Sequence, residues 1–261
     1  MIEFNKITLG DAINLLPKIN DRSCDLIFTD PPYLHSLADL YKSWNFKNHD
    51  WVYFAEQFDR ILKHSGQVVM FTDVPTLVAI SNAFQKFFRF RFYWIWIKSN
   101  GQIVNKMQPI SNVELISVWA KKKTLTRDLT FNPIMERGLS YRKKHKSGNL
   151  TRKKEKGYVT VNENGDRFPK QTLYYPSKDN LPESERTTHP TQKPIGLIGY
   201  VVKTLSNKNS LILDPFCGSG TLGNACHRLS RNFICIEKNP EYFREAKKRL
   251  INEISQEVLF K

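Results

Sequence analysis

Asp30-Pro31-Pro32-Tyr33, directly behind the apolar run Asp25-Leu26-Ile27-Phe28-Thr29, constrains this chain more than any other stretch. A short apolar run that ends in an acid, two prolines and an aromatic predicts a buried parallel strand opening into a rigid loop. The carboxyl end of such a strand is where open α/β sheets place their sites. Pro31 and Pro32 fix φ and remove two backbone donors, so the loop offers carbonyl oxygens rather than N–H groups. A carboxylate and backbone carbonyls beside a flat ring form an acceptor cluster of the kind that the exocyclic amino group of a nucleobase needs.

The rest of the chain fits an α/β domain. Residues 1–120 alternate strand and helix patterns, as βαβ architecture requires. Strands are expected at Asp25–Thr29, Gln67–Thr72, Phe90–Ile97 and Val113–Trp119, with helices at Tyr53–Lys63 and Pro75–Phe87. A second series follows near the far end: a helix at Ile195–Leu205, a strand at Leu211–Leu213, a helix at Thr221–Leu229, a strand at Phe233–Ile236 and a closing helix at Pro240–Ser255. With 261 residues, 40% of them hydrophobic, there is enough material for one large domain carrying an insertion.

The insertion is visible as a change of composition. Lys121–Lys170 holds 15 Lys and Arg against 5 Asp and Glu, two-thirds of the chain's net charge of +15. Its apolar periodicity is weak and glycines recur, so residues 121–187 read as an inserted, partly flexible module. Such a basic balance favours a polyanionic partner, most simply nucleic acid. No apolar run is long enough for a membrane span, and the first residues lack a signal-peptide pattern. The four cysteines form no C-x-x-C pair, which argues against a zinc site or a disulfide framework and fits a reducing cytoplasm.

Asp214-Pro215-Phe216-Cys217-Gly218-Ser219-Gly220-Thr221 follows the Leu211–Leu213 strand and opens a helix. Gly218 and Gly220 allow a tight turn and a close approach of backbone to ligand. Glu237 ends the next strand, where an acid can accept from ribose hydroxyls. A phosphate-binding P-loop would need a lysine after its second glycine, and a dinucleotide site would want a third glycine; this chain offers neither. A tight turn with no ligand is the plain alternative. The acid ahead of the loop would repel phosphate and pair well with a cationic amino-acid moiety, which points to S-adenosylmethionine.

With these two motifs in hand, the chain resembles the β class of amino-type DNA methyltransferases. In that class a D-P-P-Y loop lies near the start, a target-recognition region follows, and F-x-G-x-G comes near the end. The resemblance implies a Rossmann-like methyltransferase fold: a mostly parallel twisted sheet with helices on both faces, formed by residues 1–120 and 188–261 around the inserted region 121–187. It implies transfer of a methyl group from S-adenosylmethionine to the N6 of adenine in double-stranded DNA, since Asp at the first motif position accompanies adenine more often than cytosine in the family. Cytosine N4 methylation, or a non-catalytic DNA-binding subunit that kept the fold, are the alternatives.

Residue by residue, the resemblance makes Asp30, Pro31, Pro32 and Tyr33 the catalytic set. It makes Asp11, Asp214, Phe216, Gly218, Gly220, Thr221 and Glu237 cofactor-binding, joined by Thr191 and Lys193 of a stretch similar to the family's H-P-T-x-K-P. Trp96-x-Lys98 and Val113-Glu114 fall where the family carries similar residues. Arg142, Lys143, Lys144, Lys146, Arg152, Lys153 and Lys154 are the DNA-binding candidates. A cognate restriction endonuclease and a homodimer are further implications.

Overall fold

A computed structural model describes residues 2–33, 50–103, 106–145 and 158–259. They form two compact units, one of residues 1–132 and 171–261 and a smaller one of residues 133–170.

The larger unit is built on an eight-stranded sheet. In chain order its elements are β1 (Lys6–Leu9), α1 (Ala12–Leu15), β2 (Cys24–Thr29), α2 (Asp50–Ile61), β3 (Leu62–Thr72), α3 (Val74–Phe84), β4 (Phe88–Gln102) and β5 (Ser111–Lys121). In the smaller unit follow β6 (Glu136–Arg137), β7 (Tyr141–His145), β8 (Tyr158–Asn162) and β9 (Asp166–Arg167). The larger unit then resumes with β10 (Thr172–Tyr175), α4 (Ile195–Leu205), β11 (Leu211–Asp214), α5 (Thr221–Arg228), β12 (Asn232–Glu237) and α6 (Pro240–Leu259). The sheet order is β1-β12-β11-β2-β3-β5-β4-β10. All neighbours run parallel except β5, which is antiparallel to both β3 and β4.

Period-2 alternation along buried strands divides the core in two. Leu26, Phe28, Val69 and Phe71 face a cluster built with α4, α5 and α6, through Leu197, Val201, Leu222, Cys226, Ala246 and Leu250. Ile27, Val68 and Met70 face the opposite cluster, built with α2 and α3 through Trp51, Phe54, Phe58, Ile80 and Phe84. Helices thus cover both faces of a mostly parallel sheet, as expected. Both layers draw on successive residues of the central strands, which is why Leu26–Phe28 of β2 and Leu211–Leu213 of β11 read as continuous apolar runs. Asp73 starts α3 by accepting from the Thr76 N–H at 2.8 Å, with Pro75 in the first turn where its missing N–H costs nothing.

Among the described residues, the smaller unit holds two antiparallel ribbons, β6 with β9 and β7 with β8. Gly165, at φ +72°, lies where an added Cβ would fall 1.9 Å from the Gly138 carbonyl oxygen, so the chain can pass there only as glycine. This unit is narrower than the stretch 121–187, because Thr172–Tyr175 pairs with Ile95–Lys98 as the edge strand of the main sheet. No described helix is long and apolar enough to cross a membrane.

Candidate active site

β2 and β11 are parallel neighbours, with Leu26 opposite Ile212 and Ile27 opposite Leu213. Their carboxyl ends therefore release the Asp30–Tyr33 loop and the Asp214–Thr221 loop side by side. The Thr29 hydroxyl donates to Asp214 Oδ1 at 2.7 Å, and the Phe216 N–H donates to the same oxygen at 3.0 Å. Burial outweighs these two bonds and pushes the Asp214 carboxyl up to about 7.

The two loops open onto one cavity of about 950 Å³ in the larger unit, a volume suited to a cofactor-sized ligand. Of the catalytic and cofactor-binding candidates, Asp30, Pro31, Pro32, Tyr33, Thr191, Lys193, Asp214, Phe216, Gly218 and Thr221 line it, as do Trp96, Lys98 and Glu114. Asp11, Gly220 and Glu237 are not among its lining residues. Glu237 is buried and accepts from the Gly218 N–H at 2.8 Å and the Asn239 N–H at 2.7 Å, so it braces the glycine loop from beneath. Asp11 caps α1 through the Ile13 N–H at 3.0 Å and forms an ion pair with Lys238 at 2.8 Å.

Gly218 and Gly220 have φ of +51° and +73°. A Cβ on Gly218 would stand 2.8 Å from His189 Nε2, and one on Gly220 would stand 2.8 Å from the Ala246 Cβ. The first glycine clears the cavity wall; the second lets the loop pack on α6. His189 lines the cavity with its ring against Tyr242 at 4.4 Å between centroids. Its Nδ1 is buried without a hydrogen-bond partner among the described residues, and burial pushes its ring down to about 4, so it is neutral at physiological pH.

The segment Thr188–Pro194 carries Lys193 into the cavity. Thr188 anchors it to α6, its N–H and hydroxyl donating to the Glu245 carboxylate at 2.7 and 2.8 Å. Buried Gln192 accepts from the Thr187 N–H at 2.8 Å and donates to the Glu185 carbonyl at 2.7 Å. The Lys193 ammonium, expected among the cofactor-binding groups, donates to Asp30 Oδ2 at 2.5 Å and lies 3.1 Å from Glu114 Oε1. The Tyr33 hydroxyl sits between the same two carboxylates, 3.2 Å from Asp30 Oδ1 and hydrogen-bonded to Glu114 Oε1. Lys98 closes the cluster at 2.9 Å from Glu114 Oε2.

Two ammonium groups and two carboxylates thus neutralise one another at the cavity wall. Burial alone would raise the Glu114 carboxyl, but Lys193 and Lys98 overcome it and hold Glu114 at about 2. Asp30 moves the other way: burial and repulsion from Glu114 raise it, against the pull of Lys193. The environments set the two acids apart, one fixed as an anion and one able to take a proton. Lys98 and Glu114 are members that motif reading of the loops does not reach. In the sequence they are marked by charges set against apolar strands and by the family-like Trp96-x-Lys98 and Val113-Glu114, and the β4–β5 register, with Trp96 opposite Glu114, brings them together.

Arg142, Lys143 and Lys144 lie on β7 in the smaller unit, exposed. Lys143 shares one ribbon face with Tyr141 and His145, while Arg142 and Lys144 share the other with Val159 and Val161. Lys146, Arg152, Lys153 and Lys154 lie outside the described residues.

The chain from residue 24 to 248 matches the family model for N6/N4 DNA methylases. Among curated relatives, the type II methyltransferase M.HpaI of Haemophilus parainfluenzae is 27% identical, the alignment covering 96% of this chain and 75% of that protein. The DNA adenine methyltransferase YhdJ of Escherichia coli is 28% identical, with 95% and 83% covered. The solved M1.HpyAVI–SAM complex superposes with a TM-score of 0.61 at 25% identity, covering 94% of this chain and 98% of that one. The PvuII cytosine-N4-specific methyltransferase shares the fold, with a TM-score of 0.63 at 17% identity over 96% and 91%. A family match over most of its length, to a chain whose D-P-P-Y and glycine-rich loops meet at adjacent strand ends, places this protein in the DNA methylase family.

Proposed function

We propose that the protein transfers a methyl group from S-adenosylmethionine to the N6 of adenine in double-stranded DNA, as a sequence-specific modification enzyme. The observation that carries this reading is the juxtaposition of Asp30 and Asp214 across β2 and β11, fixed by the Thr29–Asp214 hydrogen bond. The cavity fits the cofactor: it has a backbone cradle at Gly218 that any Cβ would crowd, a buried nitrogen on His189 without a partner among the described residues, and a buried acid at Asp214 suited to an ammonium. Phe216, Gly218, Thr221 and Thr191 would hold it from the cavity wall, with Gly220, Glu237 and Asp11 shaping the loops behind. When bound, S-adenosylmethionine supplies an electrophilic methyl group on its sulfonium.

The chain's own part is acceptance and alignment. The amino nitrogen of adenine is a poor nucleophile because its lone pair is delocalised into the ring. The Asp30 carboxylate and the Pro31 carbonyl accept its two N–H groups, which favours a pyramidal nitrogen with an available lone pair. Positioning and electrostatics supply the rate, and Asp30 takes the proton that the nitrogen sheds. A paired base cannot reach this site, so the target leaves the duplex. The Tyr33 ring is its stacking platform, a contact worth about 1–3 kcal/mol. Basic residues of the region 121–187, including Arg142, Lys143 and Lys144, contact phosphates and read the target sequence. A cognate restriction endonuclease and a second copy of the chain are companions carried by the resemblance alone.

Incubation with methyl-tritiated S-adenosylmethionine tests the substrate class. Mixed-sequence duplex DNA becomes labelled, whereas label in RNA or protein and none in DNA would reject the proposal.

Asp214 makes a further expectation about pH. Its carboxyl is half protonated near pH 7, and an ammonium placed against it favours the charged form. Cofactor binding therefore releases a proton, and affinity weakens as pH falls below 7, approaching tenfold per unit, or about 1.4 kcal/mol. Calorimetry in buffers of different ionisation enthalpy reads that proton. Affinity that stays flat from pH 7 to 5.5 would remove Asp214 from the cofactor site.

A further inference from the structure

We propose that Glu114 is a positioning residue for methyl transfer: it grips Lys193 and Tyr33, the two side chains that hydrogen-bond Asp30 among the described residues, and so sets the placement and basicity of that carboxylate without contacting it. The proposal rests on the functional reading above and adds a residue to it.

The geometry is a shared-cation bridge. Glu114 Oε1 takes the Tyr33 hydroxyl and lies 3.1 Å from Lys193 Nζ, whose shorter bond of 2.5 Å runs to Asp30 Oδ2. Glu114 Oε2 is tied to Lys98 at 2.9 Å, and the Glu114 side chain is 8% exposed. Its two cation partners stand over aromatic rings, with Lys193 Nζ 4.8 Å from the Phe71 ring centroid and Lys98 Nζ 5.0 Å from that of Trp96.

An ammonium given wholly to Asp30 would hold that acid ionised and weakly basic, a poor acceptor for the proton of a methylated amine. Divided between two carboxylates, the same ammonium aligns Asp30 and leaves it able to accept. Glu114 also holds the Tyr33 hydroxyl, which fixes the ring proposed as the base platform. Among the described residues, every charged or titratable group facing Asp30 enters this balance. They are Tyr33 from its own loop, Lys193 from the segment before α4, Glu114 from β5 with Lys98 behind it on β4, and Asp214 at the end of β11.

Two variants of the full chain test the proposal with opposite signs. In Glu114→Gln, Lys193 turns to Asp30 alone. The Asp30 carboxyl signal in ¹³C NMR, followed without DNA, then titrates about one unit lower than in wild type. In Lys98→Gln, Glu114 loses its outer partner and draws more on Lys193, so Asp30 titrates higher. With cofactor and DNA, Glu114→Gln lowers kcat about 10- to 100-fold by analogy with other outer-shell contacts. Its KM values stay within about twofold, and the acid limb of the kcat profile moves to lower pH. An Asp30 titration that is unchanged in both variants, or that moves the same way in both, overturns the proposal. So does a Glu114→Gln enzyme whose kcat holds, or one whose loss lies in cofactor affinity. Wild-type protein that labels no DNA would reject the functional reading separately, and the NMR titration would still decide whether Glu114 governs Asp30.

Discussion

Asp30→Ala is expected to lower methyl transfer at least about 10³-fold, because it removes the acceptor at the nitrogen where charge develops. Cofactor affinity should change less than about threefold, since the Asp30 side chain contacts Tyr33 and Lys193 and makes none of the bonds that brace the glycine loop. The fold should also survive. Lys193 keeps Glu114 as a partner 3.1 Å away, so the deletion leaves no isolated buried ammonium, the situation that makes broken ion pairs so costly. Single-turnover kinetics beside equilibrium binding separates the two effects. Loss of transfer and cofactor binding together would show that Asp30 holds the site up rather than acting in it.

The second large effect comes from the loop glycines, which look alike in sequence and differ in what they face. Gly220→Val places a branched side chain at φ +73°, where the left-handed backbone costs about 1–2 kcal/mol. The same side chain meets Ala246 Cβ at 2.8 Å and Ile7 Cδ1 at 3.2 Å, and overpacking adds about 1–3 kcal/mol. A loss of about 2–5 kcal/mol is expected, read as a drop in Tm of roughly 4–20 °C for a unit of this size. Gly218→Ala carries the same backbone penalty but meets the end of the His189 ring, which borders the cavity. Its main expected result is weaker cofactor binding, about tenfold or more, with a Tm loss smaller than that of Gly220→Val. Thermal denaturation with and without S-adenosylmethionine compares the two, and equal Tm losses would refute this division of labour.

Much of the site was legible because its two halves are local. Asp30 and Asp214 each follow a short, continuously apolar strand, and such strands in a parallel sheet announce where their carboxyl ends lie. α4 runs over Ile195–Leu205 as its periodicity predicts. Weak signals failed at the sheet's margins. β1 buries only Ile7 among its four residues, and β10 only Leu173, so neither shows the pattern of a buried strand. The helix expected to run to Lys63 stops at Ile61, because Leu62 already pairs with Cys24 as β3 begins.

The charge cluster was illegible for a different reason. Lys193 reaches Asp30 from 163 residues away, and Glu114 meets Lys98 only through the antiparallel register of β4 and β5. Nothing local in the sequence states that register. H-P-T-Q-K-P therefore reads as a cofactor-enclosing stretch, while its lysine stands on the acid of the other motif. The basic segment was legible as charge; the ribbon that presents Arg142 and Lys144 on one face and Lys143 on the other was not.

In the proposed reaction the Asp30 carboxylate serves the N6 amino group of adenine. Digesting the tritium-labelled DNA to nucleosides and separating them tests it most directly. The expected result is label co-eluting with N6-methyldeoxyadenosine, absent from DNA treated with the Asp30→Ala protein. Label in N4-methyldeoxycytidine would contradict it.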